Sequence, residues 1–328
     1  FPYTTLFRSA PTVEYPETIS QEESYIIEVT DDLSGISSCT ITIDGKTYSN
    51  TDIANIILPI GQYYTTIVAV DNAGNKTTVN YTLTVKGYID TLYKVIEKAY
   101  KIGLINGEDV KDLLLAKANQ ILIDKFNVTA ALPDLDAFEL EINAQKQNLD
   151  PDFAEVLLRD ISYLRAIYES GNYWDLVANI SLKFDFGSGT LAEGYTKVTK
   201  STLYTPLLGY GLVGEQFDER SRSKSSDPLL MDFVFSNYKK DNKWYYQFWV
   251  DLPNGNYSVT FVTGDRDSDC AAFDVMAEGE PKSQVGSLKK NEFAYRTFEV
   301  TVTDGQLNIE FIGSNISRLN GLDIVPLQ

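Results

Sequence analysis

The chain has 328 residues, with 46 acidic against 28 basic side chains, no histidine and a net charge of −18. Such a field repels nucleic acid and anionic lipid, and without imidazole no Ser-His-Asp triad, Cys-His pair or ordinary zinc site can be assembled. No run of about 18 apolar residues occurs, so no helix is expected to span a membrane.

Phe1 to Ser9 read FPYTTLFRS in place of a start at Met. They look like the conceptual translation of a short-read sequencing adapter and are set aside from fold reasoning. The expectation is a gene cut open at its 5′ end, with a signal peptide and any upstream domain lost.

Residues 10–87 show the period of β-structure. Tyr25, Ile27 and Val29 alternate, as do Cys39, Ile41 and Ile43, which run into Asp44-Gly45, a hairpin signal. Tyr64, Ile67, Val68 and Val70 lead to a turn over Asp71–Asn75, and Tyr81, Leu83 and Val85 form a closing strand. TDDLSGI, ITIDG and GQYYTTIVAVDNAGN resemble the bacterial Ig-like repeats of secreted and surface proteins, which implies a spacer. Asp31, Asp32, Asp71, Asn72 and Asn75 could gather at one end to hold a structural calcium through oxygens. Turn chemistry alone also explains them, because Asp and Asn bond their own backbone.

Residues 88–170 switch to a helical period. Ile89, Leu92, Tyr93, Ile96 and Tyr100 predict a first helix, ended by Gly103 and Asn106-Gly107. Asn106 is placed to cap a second, with Val110, Leu114, Ala118, Ile121 and Leu122 as its stripe. Leu135, Phe138, Leu140 and Ile142 mark a third. Asp150 caps a fourth, with Pro151 in its first position and Phe153, Leu157, Ile161 and Leu164 on its face. The result is a four-helix bundle. AFELEINAQ and LDPDFAEVLLRDISYL resemble a small helical accessory module of secreted Gram-positive enzymes, called FIMAH. Residues 171–177 read as a short linker that packs Trp174 against a neighbour.

From 178 to 328 the period is two again. Leu182, Phe184 and Phe186 alternate, and Tyr246, Phe248, Val250 and Leu252 share a strand face. Pro253-Asn254-Gly255-Asn256 predicts a hairpin turn into Tyr257, Val259 and Phe261, and Asp304-Gly305 predicts another. FDFG, GYTKV, GYG, DPLLMDFVF, VDLPNGNY, the Gly264-Asp265 loop, TFEVTVTDGQLNIEF and LNGLDI occur in one order. That series is similar to the galactose-binding-like β-sandwich beside the catalytic domain of bacterial rhamnogalacturonan acetylesterases and related esterases and agarases. The resemblance implies a carbohydrate-associated, non-catalytic jelly roll.

Catalysis finds little support in the residues. No Gly-Asp-Ser-Leu block is present, since Gly264-Asp265 continues as Arg266-Asp267-Ser268. A lyase could use Arg or Lys as base, but the sandwich leaves no room for its catalytic fold. Nothing fixes a carboxylate spacing for glycoside hydrolysis. The two cysteines, Cys39 and Cys270, lie in different segments, so two buried thiols are the simpler reading and a bridge across domains the other.

Sugar recognition calls for aromatic faces and planar polar groups. The loops of the last domain offer Tyr195, Tyr204, Tyr210, Arg220, Trp244, Asp265 and Asn320 as candidates. Each also has a structural reading, as a packing plug or a turn-closing Asp. Trp249 has the parity opposite to Phe248 and Val250 and so points out of the core, either as a sugar platform or, the favoured reading, as a contact with another segment.

The expected fold is therefore multidomain: an all-β Ig-like sandwich, a small α-helical bundle and an all-β jelly-roll, galactose-binding-like sandwich. The expected function is that of the non-catalytic C-terminal region of a secreted, multidomain carbohydrate-active enzyme. Its partner would be a pectic, galactan or agar-like polysaccharide, bound by a monomer with no cofactor, a structural calcium at the N-terminal turns being left open. The alternative is a spacer or cell-surface stalk with no glycan site.

Overall fold

A computed structural model describes residues 9–178, 180–222 and 226–327. The start read as adapter therefore lies, apart from Ser9, outside the described residues. The chain divides into two compact units, Phe1–Ile121 with Leu132–Ala178, and Leu122–Ala131 with Asn179–Gln328.

In the first unit, β1 (Thr12–Glu14) pairs with β3 (Glu28–Thr30). A five-stranded sheet runs in the order β2-β7-β6-β4-β5, from β2 (Thr18–Ser20), β4 (Ile36–Ile43), β5 (Lys46–Ser49), β6 (Gly61–Asp71) and β7 (Lys76–Lys86). The Asp44-Gly45 turn is a hairpin as its sequence requires, with φ of 44° and 86°, the left-handed pair that matches strand twist. Tyr25, Ile41, Ile67 and Leu83 centre the core. On β6 it is Tyr63, Ile67 and Ala69 that are buried, while Tyr64 is 62% exposed. That strand is apolar on both sides, so alternation alone does not tell its faces apart.

Four helices follow: α1 (Ile89–Lys101), α2 (Glu108–Ile123), α3 (Val128–Gln145) and α4 (Pro151–Ser170). The Asp150 carboxylate accepts from the N–H groups of Asp152 (3.0 Å) and Phe153 (3.2 Å), and Gly171 closes α4 at φ 75°. Gly107, rather than Asn106, opens α2, because its carbonyl accepts the Lys111 N–H. Leu140, expected on the α3 core face, is 71% exposed. In the stretch after α4, Leu176 and Val177 are buried and Trp174 is not, which reverses the expected plug.

The boundary expected near 87 falls inside the first unit, and Asp160 of α4 supplies a physical reason. Its buried carboxylate accepts from the Ile60 N–H (2.8 Å) and the Gln21 amide (2.5 Å) of the preceding β region.

The second unit holds two facing sheets. One has the order β10-β14-β19-β16-β17: β10 (Tyr210–Val213), β14 (Lys243–Asp251), β19 (Gln306–Gly313), β16 (Phe273–Ala277) and β17 (Glu280–Val285), with β13 (Lys239–Lys240) on β14. The other has the order β18-β15-β20-β8-β9: β18 (Phe293–Val302), β15 (Gly255–Gly264), β20 (Gly321–Pro326), β8 (Lys183–Phe186) and β9 (Thr196–Val198). A ribbon of β11 (Phe217–Ser221) and β12 (Asp232–Ser236) accompanies them. Phe184, Phe248, Phe261 and Phe311 lie at the centre of one continuous core.

Neither predicted hairpin in this unit is one. The turn at Pro253–Gly255 joins β14 to β15, and Asp304-Gly305 joins β18 to β19, yet each strand pairs within a different sheet. Both turns are corners between sheets. Alternation marks which side chains point inward, and strands facing one core from opposite sheets share that pattern.

Candidate functional site

The seven candidates do not form one site. Tyr210 and Tyr204 lie toward the end of β14 marked by Val250 and Asp251, whereas Trp244 starts that strand and Asp265 and Asn320 lie at the Trp244 end of the sandwich. Tyr210 packs on core Phe184 with ring centroids 5.0 Å apart. Trp244 carries the Lys239 ammonium 4.7 Å from its ring centroid. Arg220 is bound to Asp218 at 2.7 Å and lies over Phe235. Tyr195 sits beside Lys183, and burial, followed by its hydrogen bond to Asp323, raises its phenol above the ordinary range.

Asp265 and Asn320 are pins of the fold. Asn320 is fully buried, with its Oδ1 accepting the Gly264 N–H at 2.9 Å and its Nδ2 donating to the Asp232 carbonyl at 2.7 Å. Asp265 is 1% exposed and takes the Arg222 guanidinium in a fork, Nε to Oδ1 at 2.9 Å and Nη2 to Oδ2 at 3.0 Å. Burial pushes this carboxyl up, but the Arg222 bonds and the Asp267 N–H outweigh it and hold it below the usual range. Arg222 and Arg318 both lie over Phe233, at 5.6 and 5.3 Å. Neither Asp265 nor Asn320 is presented to a ligand. Arg222 carried no sequence signal, because it sits in a polar run that reads only as loop.

The N-terminal acidic residues are used by their own turns. Asp31 Oδ2 accepts from the N–H groups of Leu33, Ser34 and Gly35. Asp71 Oδ1 accepts from Ala73 and Asn75, and its Oδ2 from the Asn75 amide at 2.7 Å, while Asp32 is exposed. Among the described residues no three Asp, Glu or Cys side chains gather to hold a metal ion. The turn chemistry weighed against a calcium set accounts for these bonds.

An aromatic and amide cluster forms instead on the outer side of β14. Gly211 makes it possible. At φ 150° with no Cβ, it lets the chain at Leu203–Tyr204 lie directly on β10, since a Cβ there would stand 2.3 Å from the Tyr204 nitrogen. The overlay is fixed by the Tyr204 N–H to Leu212 carbonyl bond (3.1 Å) and the Leu212 N–H to Thr202 carbonyl bond (2.9 Å). Tyr204 thereby meets Trp249 edge-on, centroids 5.3 Å apart. Its hydroxyl donates to Asp251 Oδ1 at 3.0 Å, and burial, then the Asp251 charge, pushes the phenol well up.

Asp251, 6% exposed, also accepts from the Gln306 amide at 2.8 Å and from the Lys125 ammonium at 2.5 Å. Lys125 donates in addition to the carbonyls of Leu122 and Pro206. Beyond Gln306, the Asn308 amide donates to Gln306 Oε1 at 3.0 Å. Tyr204, Trp249, Asp251 and Gln306 share with Ile123 and Lys125 a cavity of about 350 Å³, at the small end of ligand pockets. Trp249 thus faces outward as its parity requires, and Ile123 at the end of α2 and Lys125 of the α2–α3 connection supply the neighbour that parity left open. Asp251 shares the parity of Trp249 and was legible on that ground. Lys125 was not, because nothing local in its sequence points to a partner 126 residues away.

Residues 182–319 match the family described as "Beta-agarase/YXIM esterase-like, galactose-binding domain-like". The C-terminal sandwich is a galactose-binding-like domain of that type. The chain is 36% identical over 132 residues to the uncharacterized esterase YxiM of Bacillus subtilis, covering 39% of this chain and 31% of that protein. It is 28% identical over 136 residues to β-agarase A of Zobellia galactanivorans, covering 40% of this chain and 24% of that protein. The crystal structure of B. subtilis YxiM aligns with a TM-score of 0.37 at 31% identity, over 45% of this chain and 40% of that one. The chain spans less than a third of the length of the curated relatives it matches.

Proposed function

We propose that the C-terminal sandwich is a non-catalytic carbohydrate-binding module of a secreted polysaccharide-degrading protein, and that it takes one or two sugar residues at the Trp249 cavity. The observation that carries this reading is the Tyr204–Trp249 pair beside the Gln306 and Asn308 amides. Aromatic rings suit the apolar face of a sugar, and planar amides suit its hydroxyls. The match to a galactose-binding-like family and the likeness to β-agarase A favour a galactose-containing polymer. Asp251 and the overall charge of −18 favour a neutral one. The region preceding it is read as an Ig-like spacer followed by a FIMAH-like module.

A shallow site on a mobile polymer meets the usual entropic cost of association with few buried groups. Dissociation constants of about 10 µM to 1 mM are expected, roughly −4 to −7 kcal/mol. Affinity electrophoresis of the full chain against agarose, galactan, rhamnogalacturonan and xylan tests the reading. Retardation by a galactose-containing polymer, reduced at least tenfold in Trp249→Ala, supports it. No retardation by any of the four sinks it. A stalk with no glycan site is the second reading, favoured by the internal use of Asp265 and Asn320.

A further inference from the structure

The Trp249 cavity takes one of its walls from outside the stretch that carries the family match. Residues 182–319 supply Tyr204, Trp249 and Gln306, whereas Ile123, Phe126 and Asn127 come from Leu122–Ala131. That segment is built into the second unit. Phe126 is 2% exposed, and a Cβ on Gly305 would stand 2.9 Å from the Phe126 Cβ and 3.3 Å from the Asn127 nitrogen. Gly305 also has φ 88°, so the corner that receives the segment is shaped for glycine twice over. The Lys125 ammonium on Asp251 adds a charge pair to this packing.

Asn127 is the polar group that the wall offers. It directly precedes α3, and its carbonyl accepts the N–H groups of Ala130 (3.0 Å) and Ala131 (2.8 Å). An Asn in that place ordinarily turns its side-chain oxygen back onto the second or third N–H of the helix. Here the side-chain amide has no hydrogen-bond partner among the described residues, and Asn127 lines the cavity. One acceptor and two donors in a plane are left for whatever enters.

The cavity is bordered on two sides. Where β14 ends at Asp251, Lys125 and its segment stand across it, and on the β10 side Tyr204 borders Trp249. In the remaining direction along β14 the next outward side chain is Gln247, opposite Glu310 of β19, and both are partly exposed. A chain laid along β14 over Trp249 would run into the 122–131 segment. A chain that stops there would not.

Resting on the reading of this cavity as a sugar site, we infer that Leu122–Ala131 makes it a pocket for the end of a neutral glycan chain. Asn127 bonds a hydroxyl that is free only where the chain stops, and the rest of the chain leaves over Gln247. Asp304, an exposed carboxylate lining the same cavity, disfavours an acidic end sugar.

Calorimetric titration of the full chain with soluble galactan, intact and partly hydrolysed, tests the inference by counting what is bound. At equal sugar mass the binding equivalents should rise in proportion to the number of chain ends. Asn127→Ala should weaken binding about three- to tenfold, the size of one hydrogen bond, at an unchanged melting temperature. Thr129→Ala, an exposed position two residues on, should bind as wild type does. Equivalents that do not follow the number of ends overturn the inference, as does absence of binding to galactan. So does an Asn127→Ala protein that binds normally while Trp249→Ala does not, a result that leaves the sugar site itself standing. The count of ends uses wild-type protein alone and decides the matter even if a variant fails to fold.

Discussion

Asp160 is an acid whose burial dominates its chemistry. Burial lifts its carboxyl to about 7, against the opposing pull of the Ile60 N–H and the Gln21 amide. The unfolded chain ionises this group near 3.8, so between roughly pH 4 and pH 7 the folded state holds a proton that the unfolded state has lost. Stability from this residue therefore falls as pH rises through that window and is lowest above it. Calorimetry of wild type and Asp160→Asn at pH 5 and pH 8 should show wild type losing ground to the variant, by up to a few kcal/mol. A pH-independent difference would place the burden elsewhere.

Lys125 and Asp251 pose the opposite case, a buried pair with both charges met. Lys125→Met leaves Asp251 with only the Tyr204 hydroxyl and the Gln306 amide. A loss of about 3–5 kcal/mol in urea denaturation of the sandwich is expected.

Among the elements, the overlay of Leu203–Tyr204 on β10 depends on one missing methyl group. Gly211→Ala would drive a carbon to 2.3 Å from backbone, which no side-chain rotation relieves. The variant should lose a few kcal/mol, and polymer retardation should fall with it as Tyr204 leaves Trp249. Gly286→Ala meets nothing within 4 Å and should stay within about 0.5 kcal/mol of wild type.

The elements also show what a sequence discloses. Asp150-Pro151 and Asp44-Gly45 were legible because a cap and a left-handed turn are settled by a few adjacent residues. The Pro253–Gly255 and Asp304-Gly305 turns were misread because sheet membership is decided by partners far along the chain. At the site, Trp249 was legible through parity. The lock on Asp265 was not, since Arg222 and Arg318 reach it from 43 and 53 residues away, and no local period registers that.

For the whole molecule, the division into units is not a division of the chain into consecutive pieces. Leu122–Ala131 belongs with the sandwich although it lies between parts of the first unit in sequence. Excision of residues 179–328 removes Lys125 and leaves Asp251 without its cation. That fragment should unfold at lower urea than the sandwich within the full chain, by about the margin of Lys125→Met. Equal midpoints would show that the pair adds nothing.

The same discontinuity bears on how the protein is made. Lys125 leaves the ribosome 126 residues before Asp251. At roughly 5–20 residues per second that is a wait on the order of ten seconds. Until the sandwich is translated, Lys125 has a solvated charge and no carboxylate from β14. The burial of that ammonium is therefore a late event, reached only after a long loop has closed. A ribosome paused near residue 240 would hold a chain whose first unit is complete in sequence while Lys125 still waits for its partner.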